Sequence, residues 1–141
     1  MEHEMSYKQE IVNILTQNLP GLQAVYLFGS LSSHTEHDAS DVDIAVLLSP
    51  EKSRATVGDQ FFNIRCVLEK CLGRDVDLIN LRRVDTVMQK EVLITAERIY
   101  CLDEYAAELF EMLACSAYQK LCRERSGIVE EIIKSGRVLA P

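Results

Sequence analysis

The sequence predicts an α/β (α+β) domain, a small mixed β-sheet packed with helices and ending in a long C-terminal helix. Three observations carry this prediction. The runs Ala24-Val25-Tyr26-Leu27-Phe28 and Val42-Asp43-Ile44-Ala45-Val46-Leu47-Leu48 are almost continuously apolar, as strands buried on both faces are. Segments with apolar residues three or four apart precede and follow them, the spacing of helices with one buried face. A length of 141 residues with 48% hydrophobic content is enough for one core without disulfides or structural metal, so a single domain over 1–141 is expected.

In order along the chain, residues 5–18 place Tyr7, Ile11, Ile14 and Leu15 at helical spacing, and Pro20-Gly21 stops that helix. The first strand, 24–28, ends at Gly29-Ser30, and the polar residues 31–40 read as a loop or a short capped turn. The second strand is 42–48. A helix over about 53–72 follows, with Val57, Phe61, Ile64, Leu68 and Cys71 on one face and Gly73 closing it. Val76-Asp77-Leu78-Ile79 is a third strand; Val84, Val87, Met88 and Val92 mark another helix, and 98–101 an edge strand. Asp103 is suited to cap a final helix whose stripe runs Ala106, Phe110, Leu113, Ala117 and Leu121, then Ile128 and Ile132. Gly127 is expected to bend or break it, and Gly136 to cap its end. Phe110, Leu113 and Leu121 fit the core better than an interface.

The net charge of −7 argues against direct nucleic-acid binding, which calls for a basic face. It leaves room for one bound nucleotide, because a divalent cation bridges carboxylates to phosphates. No apolar run reaches the roughly 20 residues of a membrane span, and MEHEMSYKQE lacks the features of a signal peptide, so the expected location is cytoplasmic with no membrane partner. Five cysteines without a C-x-x-C pair, and with no histidine near them, read as reduced core thiols rather than disulfides or zinc ligands.

The residues that carry chemistry fall at strand ends. Gly29-Ser30 leaves the first strand, Asp41-Val42-Asp43 enters the second, and Asp77 lies in the third. Alternate strand residues share a face, so Asp41 and Asp43 point the same way. Two ionised carboxylates at the edge of an apolar sheet are costly unless a cation lies between them, and oxygen ligands favour magnesium or manganese. The glycine lets the backbone approach a ligand closely, and the N–H groups after it, with the Ser30 hydroxyl, can hold phosphate oxygens. Gly-Ser, ten residues, then Asp-x-Asp has a chance frequency of roughly 10⁻³ in such a chain. Asp75 shares the face of Asp77 by period two, so spacing alone does not choose between them.

The stretch GSLSSHTEHDASDVDIAVLL resembles the signature of minimal nucleotidyltransferases of the DNA polymerase β superfamily. The nearest likeness is to the MNT type, the antitoxin half of HEPN–MNT toxin–antitoxin pairs. The resemblance extends over nearly the whole chain and is specific at Gly29, Ser30, Asp41 and Asp43. It implies the nucleotidyltransferase fold and a third carboxylate in a Val-Asp-Leu setting, which Val76-Asp77-Leu78 matches; Asp75, just after Gly73-Arg74, then reads as a strand-entry residue. In the loop the chain departs from the family, with Leu31, Ser32 and Ser33 where a basic or aromatic residue and a glycine are common.

By that resemblance Asp41, Asp43 and Asp77 are catalytic and hold Mg²⁺, Gly29 and Ser30 bind the nucleotide, and ATP is the substrate. AMP would pass to a tyrosine hydroxyl of a cognate HEPN ribonuclease, with which the chain would form a hetero-oligomer. Two alternatives are a small-molecule nucleotidyltransferase similar to aminoglycoside-modifying enzymes, and an antitoxin that acts by binding alone. His34 and His37 are read as loop residues without a catalytic task, and Lys120, Arg123 and Arg125 as a solvated helix face.

Overall fold

The computed structural model describes residues 2–28, 41–56 and 58–135. Its elements run α1 Glu2–Asn18, β1 Leu22–Phe28, β2 Val42–Leu48, α2 Pro50–Ala55, α3 Gly58–Leu72, β3 Val76–Asn80, α4 Thr86–Thr95, β4 Glu97–Cys101 and α5 Glu104–Ser135. The strands form one sheet in the order β3-β2-β1-β4. β1 is antiparallel to both β2 and β4, whereas β2 and β3 are parallel. A parallel pair needs a crossover, which α2 and α3 supply. The mixed sheet and the edge position of β4 agree with the sequence reading.

Alternation along the strands divides the core in two. Val25 and Leu27 of β1 with Val42, Ile44, Val46 and Leu48 of β2 face Ile11 and Leu15 of α1 and Ile64 and Leu68 of α3. Ala24 and Tyr26 with Ala45 and Leu47 face Val92 of α4 and Ala107, Phe110 and Ala114 of α5. The two central strands are thus covered on both sides, the reason their sequences are continuous apolar runs. Gly21 turns the chain from α1 into β1 with φ +81°, and a Cβ there would run into the Lys52 side chain.

Four expectations are corrected. The helix expected over 53–72 is two helices. Ser49 caps α2 through its hydroxyl and Pro50 occupies the first turn, and the backbone at Thr56 then turns extended; the Val57 position lies outside the described residues. Gly127 does not break α5, which is continuous from Glu104 to Ser135. The buried stripe of α5 is Ala107, Phe110 and Ala114, whereas Leu113 is 56% exposed. The cysteines are free, as expected, but none is core: Cys66, Cys71 and Cys122 are exposed, and Cys101 and Cys115 half-buried. Cys71 yields the α3 core face to Leu72. Asp103 does cap α5, its Oδ1 accepting from Ala106 N at 3.0 Å, and Gly136 lies outside the described residues. Among the described residues no helix is long and apolar enough to cross a membrane.

Candidate active site

The register of the three adjacent strands builds the site. Phe28, the last residue of β1, lies opposite Asp43 on β2. On the other side of β2, Asp77 of β3 lies opposite Asp43 in the parallel register. Parallel strands are about 4.8 Å apart and residues in register point to the same face, so two carboxylates stand side by side. That face is the one on which Ala45 and Ile79 continue under α4 and α5. Asp43 is half-buried there, and Asp77 and Asp41 are exposed.

The electrostatics follow from this placement. The Asp43 carboxyl is held above the ordinary carboxylate range, first by burial, then by the charge of Asp77, then by that of Asp41. Both neighbours therefore act on Asp43, although Asp41 precedes β2 rather than lying within it. Asp75 also stands outside a strand: its carbonyl accepts from Val42 N at 2.8 Å, leaving Asp77 as the β3 carboxylate in register with Asp43. Gly29, Ser30, His34 and His37 lie outside the described residues.

The oxygen-only donor set, and a carboxylate penalised by burial and by two like charges, fit a hard divalent cation. Among the described residues no three His, Cys, Asp or Glu side chains are arranged to hold a metal by themselves. Magnesium seldom asks for such a cage, since it takes one or two carboxylates and completes its shell with water and substrate phosphates.

A pocket of about 220 Å³ between α3 and β3 is lined by Gly58, Phe61, Phe62 and Arg65 of α3 and by Asp77 and Leu78 of β3. The Arg65 guanidinium lies 5.3 Å from the centre of the Phe62 ring. The sequence pattern does not mark these residues, because Phe61 reads as a core position and Arg65 as an ordinary helix cation. Their i, i+3, i+4, i+7 spacing from Gly58 was the available signal, and it has meaning only once β3 is placed beside α3. Lys120, Arg123 and Arg125 are exposed on the distal part of α5, as expected of a solvated face.

The profile of the polymerase beta, nucleotidyltransferase family matches residues 9–105, a span that holds all four strands and all three carboxylates. The chain is 33% identical over 126 residues to the protein adenylyltransferase MntA of Shewanella oneidensis, covering 89% of this chain and 87% of that protein. This chain belongs to the polymerase beta nucleotidyltransferase family. A toxin–antitoxin structure with AMP-PNP contains a chain 33% identical to this nucleotidyltransferase, with TM-score 0.77 and coverage of 89% of this chain and 98% of that one. A complex of MNT antitoxin with tri-AMPylated Shewanella oneidensis HEPN toxin gives 30% identity, TM-score 0.74 and coverage of 92% and 98%. The family resemblance and the nucleotidyltransferase fold read from the sequence are both borne out.

The raised Asp43 carboxyl has a measurable consequence without metal. It binds its proton more tightly folded than unfolded, so protonation favours the fold. That contribution is complete below about pH 4, the ordinary carboxylate range, and is lost as pH rises through the raised value. In chelator, Asp43→Asn is expected to melt with wild type near pH 4 and at increasingly higher temperature than wild type toward pH 7. A melting difference independent of pH would refute the raised carboxyl.

Proposed function

We propose that this nucleotidyltransferase is the enzymatic antitoxin of a toxin–antitoxin pair. It transfers AMP from ATP, with magnesium, onto a tyrosine hydroxyl of a cognate HEPN ribonuclease and so silences it. The observation that carries the reading is the in-register pair Asp43 and Asp77 at one end of the sheet, with Asp43 held in an unfavourable charged state. The similarity to an adenylyltransferase over most of both chains supports the nucleotide, and that to complexes with a HEPN toxin supports the acceptor.

Asp43 lies opposite Phe28 at the end of β1, and with Asp41 takes the triphosphate side. Asp77, on the far side of β2, faces the acceptor. Magnesium bound among them would neutralise the carboxylates and stabilise the entering and leaving oxygens of an in-line displacement. The tyrosine oxygen attacks the α-phosphorus of ATP. A bond forms between them, the bond from the α-phosphorus to the bridging oxygen breaks, and pyrophosphate leaves with that electron pair. Asp77 accepts the tyrosine proton and passes it to solvent. Backbone N–H groups after Gly29 and the Ser30 hydroxyl orient the pyrophosphate. The chain acts as one domain in the cytoplasm, and the acceptor arrives as a folded partner.

The experiment is incubation of the purified pair with ATP and magnesium, followed by intact-mass measurement of the toxin and a ribonuclease assay. The expected result is a mass gain of AMP together with loss of nuclease activity. A toxin that is inhibited but unmodified would overturn the reading in favour of occlusion.

A further inference from the structure

β3 is an edge strand, so half of its main-chain groups point away from the sheet. The parallel ladder with β2 fixes which half. Val42 N donates to Asp75 O and Leu81 N to Val46 O, so the odd-numbered residues bond to β2 and Val76, Leu78 and Asn80 face outward. The Val76 N–H is met by the Glu69 carboxylate at 3.0 Å. Leu78 has no such cover among the described residues. Beside it lies the pocket of about 220 Å³ between α3 and β3. Leu78 packs toward α1 and α3, whereas Asp77 shares the opposite face with Ile79, so the pocket is backed by the sheet from the carboxylates. Its volume is below the roughly 300–1,000 Å³ of a pocket for a whole drug-sized ligand and suits one amino-acid side chain. Its chemistry suits an anionic one. Arg65 Nε is buried and finds no hydrogen-bond partner among the described residues, which is costly until an acceptor oxygen arrives. Gly58 brings the positive end of α3 to the same wall, while Asp59 beside it is exposed and does not line the pocket. Phe61 and Phe62 supply apolar walls for the stem of the incoming side chain, and the Phe62 ring stacks on the guanidinium.

We propose that the acceptor protein docks here by adding an extended segment to β3, main chain to main chain at Leu78, with an aspartate or glutamate of that segment on Arg65. The inference rests on the adenylyl-transfer reading and states how that acceptor is held. Strand addition draws affinity from main-chain hydrogen bonds and selectivity from a pocket for an alternate side chain, and both are present at this edge. Residues paired across adjacent strands share a face. The side chain opposite Leu78 therefore enters the pocket on the α3 face, and its neighbour, opposite Asp77, lies on the carboxylate face. A tyrosine at that neighbouring position stands beside Asp77 while the acidic anchor is gripped through the other side of the sheet. The acceptor sequence that fits is an acidic residue adjacent to the modified tyrosine. Arg65 holds the anchor carboxylate as a planar fork, which a lysine does not reproduce. It is a positioning residue, separated by the sheet from the reacting atoms.

The test uses the full chain with the cognate toxin and has two readouts. In the first, amide hydrogen exchange over residues 76–80 is followed with and without a toxin whose acceptor tyrosine is changed to phenylalanine. The Leu78 amide is expected to exchange at least about tenfold more slowly in the complex. In the second, transfer to the unaltered toxin is measured with ATP and magnesium. Arg65→Ala is expected to raise the KM for the toxin at least about tenfold, the loss of one charge-assisted hydrogen bond, and to move kcat and the KM for ATP by less than about twofold. Arg65→Lys should recover only part of the loss. Leu78→Pro removes the outward N–H but no bond to β2, and should raise the same KM. Its melting temperature is read alongside, and Arg65→Ala carries the test if the proline variant does not fold. Unaltered exchange at Leu78, or an unchanged KM for the toxin in Arg65→Ala, overturns the proposal and leaves adenylyl transfer standing. A raised KM for ATP alone gives the pocket to the nucleotide and overturns it too. A wild-type pair that transfers no AMP fails the underlying reading instead, and the exchange measurement still decides the docking.

Discussion

The double replacement Asp41→Asn with Asp43→Asn is expected to lower AMP transfer about 10³-fold or more, equivalent to roughly 4 kcal/mol of lost transition-state stabilisation. Asparagine keeps the size of the side chain and one oxygen but carries no charge, and neutral amides hold magnesium and its phosphates weakly. The fold survives because neither carboxylate supports it. Asp41 is exposed ahead of β2, and the Asp43 charge is opposed by burial and by Asp77. A variant damaged in folding would lose activity and melting temperature together; this one loses activity alone. Labelling of the toxin with radioactive ATP, alongside a thermal melt, checks both halves. Retention of labelling within tenfold of wild type would remove these residues from the chemistry.

Much of this was legible because the site is written in local sequence. Gly29-Ser30, the apolar run before it and the Asp-x-Asp at the start of the next run are all short-range features. β2 was found at its full extent, since a strand buried on both faces leaves an uninterrupted apolar run. The side-by-side placement of Asp43 and Asp77 was not a local feature. It depends on the parallel register of two strands joined through α2 and α3, which period two alone left open between Asp75 and Asp77. The misread portions share a physical cause. The break at Thr56 is set by a cap at Ser49 and by the backbone beyond α2, not by hydrophobic spacing. On α5 the buried face is Ala107, Phe110 and Ala114, which apolar spacing alone does not separate from the neighbouring Leu113. The cysteines are apolar by composition, yet exposure is decided by which face of α3 or α5 they occupy. Arg65 was illegible for the same reason: nothing in its own neighbourhood says that β3 and Asp77 will lie across from it.

Ile44→Ala is expected to destabilise the fold by about 3–4 kcal/mol, within the usual range for truncating a fully buried isoleucine. Ile44 has no exposed surface and lies between Leu27 of β1 and Leu78 of β3 in the sheet, beneath α1 and α3. Neighbours on two strands and two helices are fixed by their own backbones, so they collapse little into the space left behind and most of the cavity cost remains. For a chain of this length the loss corresponds to a fall of about 10–15 °C in melting temperature. The effect on chemistry runs the other way from the carboxylate pair. Ile44 points to the α1 and α3 face while Asp43, one residue earlier, points to the opposite face. Below its melting transition the Ile44→Ala enzyme should keep its rate per folded molecule within about threefold of wild type, since no group at the reacting atoms has changed. Melting curves and single-turnover labelling at 15 °C separate the two quantities. A destabilisation under about 1 kcal/mol would mean that the core closes over the gap. A large rate loss in a folded sample would mean that the packing on one face of β2 sets the position of the carboxylate on the other.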